Sequence, residues 1–218
     1  MDQVQYIRWV LKPAIFVAAL VPLGLLVYDG FTGGLGANPI QDITFRTGLW
    51  TLRFLVFTLC VTPLRRLSGW NALVRVRRML GLYAFFYACL HFTTYFWLDQ
   101  EFDWPAIVAD VVKRPYITVG FSTFLLLIPL AATSTNAMVR RLGGQRWRRL
   151  HQIVYVAAMG GVLHFLWLVK ADTRQPLFYL IVLCALFALR LPLVSGWLSA
   201  AQPLARMRGL TASVRGMS

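Results

Sequence analysis

Carboxylates are scarce in this sequence. Only 8 of the 218 residues are Asp or Glu and 14% carry any charge, whereas 58% are hydrophobic. A soluble domain carries roughly 25% charged residues, so a water-soluble globular enzyme is excluded and an all-α polytopic membrane protein is expected. Cysteine is nearly as rare. Cys60, Cys89 and Cys184 all lie inside apolar runs, with no pair at metal-ligand spacing. They read as small buried hydrophobes, which argues against a disulfide framework. No glycine-rich dinucleotide fingerprint opens a helix. Nor does any internal repeat, low-complexity stretch or separate soluble domain interrupt residues 1–218, which are expected to form a single transmembrane domain.

Long apolar runs are what the sequence does contain. A spanning helix needs about 20 mostly apolar residues, and six segments supply them, at 9–28, 47–64, 79–98, 115–133, 150–169 and 176–194. The first resembles a signal peptide in having Arg8 and Lys12 ahead of its uncharged run, but that run exceeds a usual signal core, so a retained helix is expected. The loops alternate in charge. Sixteen of the 22 Lys and Arg residues fall on the side of the termini, five on the other side and Arg53 within a span, while seven of the eight acidic residues take the opposite side. The positive-inside rule places both termini in the cytoplasm. Topogenic loops facing anionic lipid also account for the net charge of +14 without nucleic acid. Trp50, Trp97, Trp104, Trp167 and Tyr95 flank the span ends and read as interfacial anchors.

All three histidines lie in spans three and five. Ionisable groups inside a span usually face the bundle interior and mark function. At about 1.5 Å per residue, His91 lies about 10 Å and His164 about 8 Å below the outer end of its span. Two imidazoles on different helices thus share one level. That arrangement suits the two axial positions of a haem iron. Ala157, Ala158, Gly160 and Gly161 beside His164 would let a flat ring approach the helix. Arg53 lies about 9 Å deep, and no span offers it a carboxylate, so a haem propionate is a candidate partner. The alternatives are interhelical hydrogen bonds for the histidines and outward snorkelling for Arg53. Zinc is disfavoured because no carboxylate or thiolate joins the histidines at ligand spacing.

His151 sits at the inner end of span five, about 20 Å from His164 and about 140° around an ideal helix. The matching inner position on span three is Arg78, so a second bis-histidine haem is not available. His151 serves a second haem with an unusual ligand, an inner flavin or quinone site, or only the membrane interface.

Several stretches carry a family resemblance: 77–82 (RRMLGL), 87–92 (YACLHF), 113–120 (KRPYITVG), and 142–143 (LG) through 147–151 (WRRLH) to His164. One histidine on span three and two on span five, thirteen apart, resemble the ferric-reductase-like transmembrane family. Within it the chain is most similar to the MsrQ (YedZ) family, the haem-binding membrane subunits of a periplasmic protein-methionine-sulfoxide reductase system. The resemblance implies haem b on His91 and His164, with His151 as a further functional histidine and FMN as a second cofactor. It also implies a periplasmic molybdopterin catalytic subunit as electron acceptor, and the quinone pool or a cytosolic flavin reductase as donor. Unlike the related NADPH oxidases, this chain has no inner histidine on span three and no NADPH or FAD domain.

The expectation is therefore a bundle of six helices in the bacterial inner membrane. It would be an electron-transfer subunit without a self-contained catalytic site, binding membrane lipid and no nucleic acid. Its outer acidic residues (Asp99, Glu101, Asp103, Asp110) either steer a basic acceptor or serve loop solubility. The rival readings are a small proton-coupled transporter and a structural subunit with non-haem histidines. The first usually shows broken helices or intramembrane carboxylates, and neither is evident.

Overall fold

A computed structural model describes residues 3–190, and every regular element among them is helical. After a first turn at Gln3–Tyr6, the helices are α1 (Ile7–Thr32), α2 (Pro39–Ser68), α3 (Asn71–Asp99), α4 (Trp104–Lys113), α5 (Pro115–Ala132), α6 (Asn136–Leu142), α7 (Gly144–Leu168) and α8 (Arg174–Ala188). Five of them, α1, α2, α3, α5 and α7, are long and apolar enough to cross a membrane. In lipid no water is present to satisfy an open backbone, so a spanning segment must close its own hydrogen bonds, and a helix does this. The sixth expected segment forms the 15-residue apolar helix α8, and its last positions, 191–194, lie outside the described residues.

The helices extend past the apolar runs because their ends carry local stop and start signals. Asn38 caps α2 by accepting from the Gln41 amide at 3.2 Å, with Pro39 in the first turn. Gly33 (φ 75°) and Gly69 (φ 70°) take the left-handed conformation that ends α1 and α2. The polar first turns of α2 are held by Arg46, which pairs with Asp29 of α1 and with Asp42 one turn earlier. Asp103 caps the short helix α4 through the Ala106 amide at 3.0 Å. That helix lies within a stretch expected to be a loop.

Two antiparallel pairs form the body of the fold. In one, α2 runs along α3, with Thr44 opposite His91 and Thr58 opposite Gly81. In the other, α5 runs along α7, with Tyr116 opposite His164 and Ser134 opposite His151. Phe92 of α3 stacks on Phe124 of α5 at 4.7 Å and joins the pairs. The shared core contains Leu55, Leu59, Ala84, Tyr87, Ala157, Ala158, Val162 and Leu183. Half of the most apolar window of α2 is buried, against 11% for α1. Helix α1 is a peripheral element, tied to α3 by the Tyr87 hydroxyl donating to the Ala19 carbonyl at 2.7 Å and by Tyr83 donating to Phe16 at 3.2 Å. Its outer side chains, Val17, Leu25 and Phe31 among them, are exposed apolar groups suited to lipid.

The charged loops fall at opposite ends of this bundle. One end, the acidic face, carries Asp29, Asp42, Asp99, Asp110 and Asp172; the other, the basic face, carries Arg65, Arg66, Arg77, Arg78 and the arginines of α6 and α7.

Candidate haem site

His91 projects from α3 and His164 from α7 into one cavity of about 790 Å³ near the acidic face. Their ring centroids are 6.0 Å apart, with planes inclined by 76°. The two rings are held in the same way. His91 Nδ1 lies 2.8 Å from the Thr44 carbonyl oxygen, and His164 Nδ1 lies 2.7 Å from that of Tyr116. A carbonyl only accepts, so each Nδ1 bears the proton and each Nε2 keeps its lone pair. Neither Nε2 makes a hydrogen bond among the described residues.

A glycine makes room for each ring, one helical turn beyond the accepting carbonyl. A Cβ on Gly48 would lie 2.9 Å from His91 Nδ1, and one on Gly120 would lie 2.6 Å from His164 Nδ1. Any larger residue forces the imidazole to move. Each antiparallel pair therefore contributes one half-site: carbonyl, glycine four residues later, and histidine from the partner helix. The roles of Gly48 and Gly120 escaped the sequence reading. The signal that could have found them is a shared separation, 43 residues from Gly48 to His91 and 44 from Gly120 to His164.

The walls are mainly apolar, with Leu52, Leu55, Phe92, Phe124, Leu127 and Phe165 among them. No cluster of three or more His, Cys, Asp or Glu suited to a metal occurs among the described residues. The donor set therefore fits a metal that brings most of its ligands with it, as an iron porphyrin does. The spacing fits as well. Two metal–nitrogen bonds of about 2.0 Å, each with about 1 Å from nitrogen to ring centre, separate two centroids by about 6 Å. The cavity volume is within the range of about 300–1,000 Å³ usual for cofactor pockets.

Arg53 is not brought to this cavity. Its guanidinium lies 4.6 Å from the Trp50 ring centroid and its Nε donates to the Tyr179 hydroxyl at 3.2 Å. Its neighbours Thr51, Leu52 and Leu55 line the cavity, so Arg53 shares their depth but not their direction. The small residues beside His164 also divide. Gly161 lines the cavity, whereas Ala157 and Ala158 are packed in the core and Gly160 lets α5 approach, where a Cβ would clash with the Thr123 hydroxyl oxygen. Tyr95, expected as an interfacial anchor, instead lines the cavity one turn beyond His91, and Trp50 packs between Arg53, Phe54 and Tyr87. Cys184, expected to be buried, is exposed on α8.

His151 lies elsewhere. Its ring stacks on Trp147 at 3.9 Å, Nδ1 lies 3.1 Å from the Trp147 carbonyl, and Nε2 lies 3.4 Å from the Ser134 hydroxyl. It does not line the cavity of the other two histidines.

The family described as ferric reductase like transmembrane component matches residues 47–162, which include His91 and His151 and end two residues before His164. Among curated proteins, the chain is 58% identical to the protein-methionine-sulfoxide reductase heme-binding subunit MsrQ of Herminiimonas arsenicoxydans, over 83% of this chain and 84% of that protein. It is 56% identical to the MsrQ of Rhodospirillum rubrum, over 82% and 86% of the two chains, and 52% identical to that of Azospira oryzae, over 83% and 78%. The chain belongs to the MsrQ family of ferric-reductase-like membrane proteins. Family membership and the five long apolar helices together make it a multi-pass bacterial membrane protein.

Proposed function

We propose that this chain is the haem-binding membrane subunit of a protein-methionine-sulfoxide reductase system. In this reading it is a b-type cytochrome of six spanning helices with both termini in the cytoplasm. It passes electrons from a donor at the basic, cytoplasmic face to a periplasmic molybdopterin subunit that reduces oxidised methionine in proteins. The observation that carries the reading is the pair of imidazoles in one apolar cavity, each with Nδ1 tied to a carbonyl and Nε2 left open. Relatives that share more than half of their aligned residues with this chain are named heme-binding subunits, which supports it further.

Bound haem supplies one-electron redox chemistry. In this reading His91 and His164 would hold the iron. The Thr44 and Tyr116 carbonyls fix both tautomers and, by accepting the Nδ1 protons, make both Nε2 atoms stronger donors. Gly48 and Gly120 let the rings stand upright between the helices. The apolar walls exclude water and so set the local dielectric, one of the protein's levers on potential. In this reading the acidic face, near which the cavity lies, is the side of the periplasmic acceptor, and the arginine-rich face is left to the donor, a quinol or a reduced flavin protein. FMN is the second cofactor in this reading, carried by the family resemblance. In this reading His151, with Nδ1 at the Trp147 carbonyl and its ring stacked on the Trp147 indole, belongs to the basic face and not to this haem.

The test is a reduced-minus-oxidised spectrum of the purified protein with pyridine haemochrome quantification. Wild type is expected to show a sharp α-band that is lost in both His91→Ala and His164→Ala. A folded, monodisperse wild type that is colourless after expression with excess haem overturns the reading.

A further inference from the structure

The histidine cavity has a polar end, lined by Tyr95, Asp99, Arg114, Lys170 and Asp172. Tyr95 stands four residues after His91, on the same side of α3, in the widened π-helical turn Thr94–Asp99. It lines the cavity, and its hydroxyl oxygen is buried with no hydrogen-bond partner among the described residues. A buried hydroxyl left unpaired is costly and calls for an explanation. Lys170, six residues past His164, also lines the cavity and makes no ion pair among the described residues. Arg114 completes the group. Its Nε pairs with Asp110 at 3.2 Å and its Nη1 reaches the Tyr116 hydroxyl at 3.5 Å, while Nη2 makes no hydrogen bond among the described residues.

Two carboxylates also border this end, and both are engaged. Asp99 accepts from the Gln100 side chain at 3.0 Å; Asp172 accepts from the Arg174 amide at 3.0 Å and lies 3.9 Å from its guanidinium. With Arg114 and Arg174 each paired to a carboxylate, Lys170 is the cation at the mouth without an ion pair among the described residues, beside the unpaired Tyr95 hydroxyl. A ligand that is apolar over most of its surface and carries carboxylates at one edge matches a cavity of this polarity.

Building on the haem reading above, we propose that Tyr95, Arg114 and Lys170 form a carboxylate subsite that receives the acid side chains of the macrocycle. This assignment takes the role from Arg53, which is level with the histidines but is occupied by Trp50 and Tyr179. It also gives the buried Tyr95 hydroxyl an acceptor. The three groups are positioning residues: they fix the macrocycle about the axis between the histidines, and the positive charge of Lys170 favours the reduced, less positive iron centre.

The experiment uses the full chain in lipid nanodiscs, loaded with haem b or with its dimethyl ester, which has the same iron and ring but no carboxylates. Binding is titrated through the Soret band and the midpoint potential is measured for each form. Wild type is expected to prefer the free acid by about tenfold or more, the range for hydrogen bonds to charged groups. Tyr95→Phe and Lys170→Ala should each lose most of that preference while keeping the bis-histidine spectrum, and Lys170→Ala should also lower the midpoint potential. Arg53→Leu should retain the preference. Equal binding of acid and ester by wild type, or an unchanged preference in both variants, overturns the subsite while the haem reading stands. Tyr95→Phe that keeps the full preference assigns the Tyr95 hydroxyl to the neighbouring Asp110 and removes Tyr95 from the subsite. Wild type that binds neither form overturns the haem reading and the subsite with it.

Discussion

The two ends of α7 treat an imidazole in opposite ways. His164 and His151 are thirteen residues apart on one helix. At the acidic end the Nδ1 proton of His164 goes to a carbonyl of another helix, a glycine on that helix clears space, and Nε2 faces no competing group among the described residues. At the basic end Nδ1 of His151 turns back to its own helix at Trp147, the ring is covered by the Trp147 indole, and Nε2 approaches Ser134. The surroundings differ in kind as well. Trp147 donates to the Thr133 carbonyl at 2.9 Å, Arg78 lies over its ring at 5.9 Å and bonds Asn136, and Arg190 donates to Tyr155 and to the Leu59 carbonyl. The same side chain is thus presented as an open ligand at one end and as a packing and hydrogen-bonding group at the other. The ligand character of a histidine here comes from what its second nitrogen is left to do.

The strongest way to break this comparison is to remove the space at the open end. Gly120→Ala and Gly48→Ala are each expected to tilt an imidazole away from its carbonyl and lower haem affinity by about 10–100-fold, the range for loss of a metal ligand's supporting contact. Haem titration of the purified variants measures this, and Gly24→Ala, where a Cβ meets nothing within 4 Å, is the control. Affinity at the wild-type value in Gly120→Ala would show that the ring does not need this pocket. A smaller effect is expected from His151→Ala. It should leave the haem of the outer cavity in place and lower thermal stability by about 0.5–1.5 kcal/mol through the lost ring stack. Loss of a second haem equivalent in that variant would break the comparison, because it would make the basic end a ligand site too. The smallest effect sharpens it: Ser134→Ala removes the 3.4 Å contact with His151 and the local 2.7 Å bond to the Leu130 carbonyl and should change stability by about 1 kcal/mol or less with unchanged haem content. Equilibrium denaturant titration followed by tryptophan fluorescence gives both stability values.

The apolar runs were legible because hydropathy alone selects them, and each of the five long ones became a helix. The ends were less so. Helix α2 begins eight residues before its expected start because Asn38 and Pro39 nucleate it and Arg46 pairs with Asp29 and Asp42, which lets charged turns stay helical. Helix α4 was missed because ten residues with charged ends fall below the length of a span. His91 and His164 were legible at the site because their depth follows from counting residues. Arg53 and Tyr95 both face other ways than expected, for a related reason: counting gives depth along a helix and says nothing of direction around it. Arg53 is level with the histidines but turned to Trp50, whereas Tyr95 is nearer the surface but turned inward.

By itself the sequence determined that the chain lives in a bilayer, which segments become helices, and how deep each histidine lies. Backbone groups in hydrocarbon have no partner except their own helix, and the rise per residue then fixes the level of every side chain. Only the tertiary structure decided how each helix is rotated about its axis. These helices are apolar on nearly every side, so no stripe in the sequence marks an inner face, and close packing against neighbours sets the rotation instead. Those contacts turn His91 and His164 to one cavity, set Gly48 and Gly120 against their rings, and leave Arg53 outside.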